Sequence, residues 1–193
     1  DDGAGGTNRK ATMTRLATYM GTKIGGGYEF IASSGVVSNV ANIQFRAQDG
    51  HFDATKFDHY EFFLQAVKPV TDGVRLLLQT STNDGGDYAS TNGDYHANTD
   101  DKTGMVITET YTVGNDTNEY GVSGQFFLAA PHLNTYTTGY PRVATFHTNG
   151  GIYPSDDARY ARLAAEDTDA VRFLFTSGNI TSGEISMFGI VNS

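Results

Sequence analysis

Tyr88, Asp94, Tyr95 and His96 fall within one short stretch and carry side chains suited to holding a sugar. Tyrosine rings stack on the apolar face of a sugar ring, and carboxylates and imidazoles take up its hydroxyls, so the set points to a glycan-binding loop. The same rings can instead pack on neighbouring strands with their hydroxyls at the surface. Tyr136, Tyr140 and His132, around Pro131 and Pro141, repeat the combination. The first loop also crowds oxygen ligands at Asn83, Asp84, Asp87, Asn92 and Asp94. Calcium takes roughly six to eight such oxygens. Asn83-Asp84-Gly85-Gly86-Asp87 departs from EF-hand spacing, however, and solvation explains acids in turns. His51, His59, His96, His132 and His147 include no pair at the i, i+4 spacing of a helix-borne zinc site. No metal is expected.

Catalytic chemistry fails on spacing. Ser123 lies in Gly121-Val122-Ser123-Gly124-Gln125, which lacks the last glycine of a nucleophile elbow. Paired carboxylates across a groove would cleave a glycosidic bond, but the acids here sit mostly in turns and no solenoid repeat carries them. The chain is expected not to be an enzyme. Gly25-Gly26-Gly27 lacks a following Lys-Ser/Thr, so it reads as a hinge and not as a phosphate cradle, and no cofactor is expected. Arg159, Tyr160 and Arg162, beside Asp156 and Asp157, suggest an anion site, but a solvated face or subunit salt bridges explain them better. Cysteine is absent, which removes disulfides, thiolate metal sites and thiol nucleophiles. Thirteen Lys and Arg against 22 Asp and Glu give 13 − 22 = −9. That balance argues against nucleic-acid binding and against docking on an anionic membrane. No apolar run approaches the ~20 residues of a membrane helix, so no membrane insertion is expected.

The elements that must position these residues are mostly strands. From Tyr28 onward, apolar residues alternate: Tyr28, Phe30, Ala32; Ile43, Phe45, Ala47; Tyr60, Phe62, Leu64; Leu76, Leu78, Thr80; Phe126, Leu128; Val171, Phe173, Phe175; Ile185, Met187, Gly189, Val191. Gly-containing turns separate them, at Asp49-Gly50, Asp72-Gly73, Asn92-Gly93, Asn149-Gly150 and Ser182-Gly183. The pattern predicts a mostly β fold, an antiparallel β-sandwich of jelly-roll type, over residues 28–193. Residues 1–27 differ. Met13, Leu16, Ala17 and Met20 share one helical face, which predicts a short N-terminal helical connector. The opening Asp1-Asp2-Gly3 reads as the continuation of a longer chain. Several strands are apolar on both faces. Phe63, Leu77, Phe127 and Phe188 are the outward set, predicted to meet another subunit or to lie under a covering segment.

Three stretches resemble a known family. His59 to Leu64 and Pro69-Val70-Thr71-Asp72-Gly73 through Leu78 look like its strand, turn and strand. The tyrosine- and glycine-rich loop Thr82 to Tyr95 is similar to its loop. The ending Val171-Arg172-Phe173-Leu174-Phe175-Thr176-Ser177-Gly178-Asn179-Ile180 through Phe188-Gly189-Ile190 is the most specific. The family is the C-terminal β-sandwich domain of bacteriophage virion appendages, such as tail fibres and spikes. The resemblance implies a homotrimer on the virion surface, contacts with other virion proteins, and a structural or host-attachment role toward a glycan or protein. A capsid-decorating protein without a receptor is the other role it implies. It carries over no catalytic residue.

Overall fold

A computed structural model describes residues 27–96, 102–109, 111–155 and 158–191. The expected helical connector lies, apart from Gly27, outside the described residues. The rest is mostly β and antiparallel, as the alternation predicts. In chain order the strands are β1 (Tyr28–Ser33), β2 (Val37–Val40), β3 (Ile43–Arg46), β4 (Phe57–Pro69), β5 (Leu76–Ser81), β6 (Tyr95–His96), β7 (Met105–Val106), β8 (Val122–Ala129), β9 (Tyr136–Phe146), β10 (Ile152–Ser155), β11 (Tyr160–Ala165), β12 (Ala170–Phe175) and β13 (Ile180–Val191). Among the described residues, the helical element is a single 3-10 turn at Ala47–Asp49. No helix among them is long and apolar enough to cross a membrane.

Two sheets face each other. Sheet A runs β1-β13-β4-β8-β9-β11-β6, with β10 also on β9 and β2 also on β13. Sheet B runs β3-β12-β5-β7. Burial alternates residue by residue along β9, as expected of a strand with one face in the core. Phe62 of sheet A meets Phe173 of sheet B at 5.1 Å between ring centroids, and Phe45 joins them at 5.5 and 6.3 Å. These tilted and edge-to-face contacts knit the layers together.

The long strands β4 and β13 form the spine, pairing Leu64 with Ile185 and Phe62 with Met187. Near its end β4 bulges at Ala66, which takes φ 49°. Gly183 lies opposite at φ 126°, and a Cβ there would stand 2.6 Å from the Val67 Cα. Only glycine fits so close a backbone approach. The Thr71-Asp72-Gly73 and Ser177-Gly178-Asn179 turns lock together beyond this point, where the Val70 N–H donates to the Asn179 carbonyl at 2.8 Å.

The outward apolar set divides between the sheets. Phe63, Phe127 and Phe188 share the outer face of sheet A and are half-buried. Leu77 does not join them. It lies on sheet B and is 2% exposed. The chain at Gly104 lies so close that a Cβ there would stand 3.2 Å from the Leu77 Cβ. Leu77 is therefore sealed by a covering segment and is not available as an interface residue.

Candidate functional site

The loop between β5 and β6 holds itself in shape with short-range hydrogen bonds. The Ser81 hydroxyl accepts from the Asn83 and Gly85 amides at 3.2 and 3.0 Å. Asn83 Oδ1 accepts from the Asp87 amide at 2.8 Å. Such bonds are the local chemistry that favours Ser, Asn and Asp in turns. Asp84 takes φ 58° and its amide donates to Asp169 Oδ1 at 2.8 Å, which ties the loop to the approach to β12. Burial raises the pKa of the Asp169 carboxyl above its ordinary value. The loop's far end is pinned where the Ala89 amide donates to the Thr80 carbonyl at 3.0 Å.

Between this loop and β11 lies a cavity of about 480 Å³, within the range of small-ligand sites. Its wall is polar: Thr80, Asn83, Asp87, Thr91, Asp94 and Glu166 present oxygens, and Arg162 presents a guanidinium. Arg162 is 13% exposed and anchors the wall. Its Nε donates to Glu166 Oε1 at 2.7 Å, and its Nη1 donates to the Asp94 carbonyl at 2.9 Å. Nη1 also stands 3.2 Å from Asp94 Oδ1. The other Asp94 oxygen accepts from the Thr91 amide at 2.7 Å. Arg162, Asp94 and Glu166 are thus each held by a partner, which is the condition for a preorganised site.

The four sequence-selected residues separate here. Asp94 lies in the wall. Tyr88 contributes to the wall but is 7% exposed, with the Arg172 guanidinium 4.3 Å over its ring. Tyr95 is fully buried. Its hydroxyl accepts from the Thr80 amide at 2.8 Å and donates to the Ala89 carbonyl at 3.1 Å. It is a core residue and offers no ring face to a ligand. His96 follows Tyr95 in β6, so it points the opposite way. It lines a separate cavity of about 340 Å³ with Tyr140 and Arg159. Glu166 was missed as a site residue, and Arg162 was weighed for an anion site but read as a solvated or interface charge. The sequence shows them as charges in an Ala-rich run, and only the pairing of Arg162 with Tyr95 brings them to Asp94.

The second aromatic set also disperses. Tyr136 is exposed, Tyr140 lies on the outer face of sheet A, and His132 turns inward. His132 Nε2 stands 2.6 Å from the Tyr60 hydroxyl, which accepts from the Asp53 amide at 2.9 Å. Burial lowers the pKa of His132 and raises that of Tyr60. His132 also borders a cavity of about 440 Å³ with His59 and Asp58. Among the described residues no three His, Asp or Glu side chains converge so as to hold a metal ion.

These features define an antiparallel two-sheet β-sandwich domain with a polar pocket between the β5–β6 loop and β11. No protein-family model matches the chain, and no curated protein or solved structure matches it.

Proposed function

We propose that this chain is a non-catalytic, jelly-roll-type domain of a bacteriophage virion appendage, a tail fibre or spike. It assembles as a homotrimer with other virion proteins at the particle surface and holds a host-surface glycan in the pocket beside Arg162. The single observation that carries the glycan reading is the pocket wall. Asp94, Glu166, Asn83, Thr80 and Thr91 supply acceptors and hydroxyls, and Arg162 supplies donors at fixed positions. A sugar presents many hydroxyls, each both donor and acceptor, and such a wall matches them. The virion reading is supported by the resemblance of residues 59–78 and 169–190. The test is a glycan array followed by titration of the best ligand. Arg162→Ala and Asp94→Ala are expected to weaken binding at least ~10-fold with the fold retained. A wild-type chain that binds no glycan, or pocket variants that bind as well as it does, would sink the reading.

A second reading has its own observation. The aromatic outer face of sheet A suits protein contact more than sugar contact. On that reading the domain decorates or cements the particle and recognises no host. Particles lacking it would then lose stability while attachment stayed unchanged.

A further inference from the structure

The connection between β8 and β9, residues 130–135, is held against β4 by two imidazoles. The Ala130 amide donates to His59 Nδ1 at 3.0 Å. Two residues on, His132 Nε2 stands 2.6 Å from the Tyr60 hydroxyl. That hydroxyl accepts from the Asp53 amide at 2.9 Å, and among the described residues no other acceptor takes its proton. Tyr60 is fully buried, so its O–H donates to Nε2 and does not go unpaired. The two rings therefore share one condition. Each accepts through a nitrogen that must carry no proton. The proton of neutral His132 then sits on Nδ1, 3.9 Å from Asp167 Oδ1.

The connection is strained where the first of these bonds holds it. Ala130 takes φ 44°, a left-handed conformation that alanine keeps only while its surroundings enforce it. Pro131 follows and restricts it further. The Leu133 amide closes the turn on the Ala130 carbonyl at 3.2 Å, and Leu133 is 55% exposed at the tip. The other side is fastened differently. The Pro131 carbonyl accepts from the amide of buried Thr168 at 2.8 Å, a backbone bond with no titratable partner. Beside the two imidazoles lies the cavity of about 440 Å³, bordered also by Ala54, Asp58, Ala130 and Leu133. The titratable groups around the pair are Asp53 before β4, Asp58 and Tyr60 on β4, and Asp167 between β11 and β12. Burial opposes a charge on His132 and is the larger effect, while the three carboxylates favour it. Histidine is the side chain whose charge changes between about pH 5 and 8.

We propose that the β8–β9 connection is an acid-released flap: proton uptake by His59 and His132 breaks its two bonds to β4, Ala130 relaxes, and residues 132–135 swing away from the cavity about the Pro131–Thr168 bond. A proton on His59 Nδ1 sets an N–H against the Ala130 N–H. A proton on His132 Nε2 leaves the Tyr60 hydroxyl without an acceptor. Both changes act in the same direction on one short segment. The proposal requires neither the trimer nor the glycan reading given above.

A spin label on the full chain tests it. The chain contains no cysteine, so Asn134→Cys, at an exposed position, takes a single label. The mobile fraction of its electron paramagnetic resonance spectrum is expected to rise reversibly, at least ~3-fold, as the pH falls from about 8 to about 5. The circular dichroism spectrum of the sandwich is expected to hold over that range. Glutamine keeps a side-chain acceptor and does not titrate. In the labelled chain, His59→Gln combined with His132→Gln is therefore expected to keep the label ordered in acid, and each change alone to remove part of the response. A wild-type label equally ordered at both ends of the range overturns the proposal. A double variant that loosens as the wild type does also overturns it, since the proton then acts elsewhere. Acid loss of the dichroism spectrum in step with the label overturns it too, because the flap then has no motion of its own. Where the glutamine variants fail to fold, the imidazole nitrogen NMR spectrum of the wild-type chain decides. At about pH 8 it is expected to show no proton on His59 Nδ1 and none on His132 Nε2. A proton on either nitrogen overturns the proposal.

Discussion

On the outer face of sheet B, Arg172 donates to Gln79 at 2.8 Å and Gln79 donates to the Thr103 carbonyl at 2.8 Å. The Arg172 guanidinium covers Tyr88, and the chain at Gly104 seals Leu77. On the outer face of sheet A, the Arg142 and Arg159 guanidinium groups lie over Tyr140. Its rings pack on one another, and Tyr28 and Phe30 stay open to solvent. Both sheets have an apolar second face, and each meets the cost of exposing it differently. Sheet B is served by Tyr88 of the β5–β6 loop and by the chain at Thr103 and Gly104 before β7, both fastened by polar side chains that need partners of their own. Sheet A presents its rings outward, which suits a surface whose partner is another chain.

The sharpest way to break this contrast is Leu77→Ala. If Leu77 is core, urea unfolding should show a loss of about 2–5 kcal/mol, the usual cost of truncating a buried leucine. A loss below ~1 kcal/mol would place it with the sheet A rings instead. A smaller effect comes from pH. His51 packs on Phe45 of sheet B at 5.5 Å between ring centroids, and His132 packs on Tyr60 of sheet A at 5.5 Å. Burial lowers both pKa values, so the unfolded chain takes up protons before the folded one does. Their contribution to stability is full above about pH 6.5. It is lost as pH falls below that value and levels off beneath the lowered folded-state pKa. The urea midpoint should therefore drop between about pH 7 and 5, and His51→Asn and His132→Asn should each flatten part of the slope. A flat wild-type profile would contradict the burial of both rings. The smallest effect is expected at Phe30→Ala. Unfolding should change by less than ~0.5 kcal/mol, as for other exposed sites. A large loss there would mean that the sheet A face is held from within the chain.

Much of the fold was legible in the residues. Strict alternation through Tyr60-Phe62-Leu64 and Ile185-Met187-Gly189 marked β4 and β13, which are the spine. β11 was not legible, because Tyr160-Ala161-Arg162-Leu163-Ala164-Ala165 is rich in alanine and weak in strand preference. With β11 unseen, the Arg162 wall of the pocket was hidden as well. Asp94, an acid in the polar loop between β5 and β6, lies in the wall of the pocket. Tyr95 and His96 were grouped as if side by side, but neighbours in a strand face apart. The two-residue β6 was too short to show that period.

The sequence by itself determined the strand-rich, antiparallel character of the chain, the turns between strands and the polar composition of the β5–β6 loop. Those properties are set by neighbours a few residues apart, through alternation and side-chain-to-backbone hydrogen bonding. Tertiary structure alone decided that Arg162 and Glu166 join Asp94. It also decided that Tyr95 is buried, and that Leu77 is sealed while Phe63, Phe127 and Phe188 stay half-buried. Each of these depends on which distant segment crosses a strand, and the pattern within a strand carries no record of what lies over it.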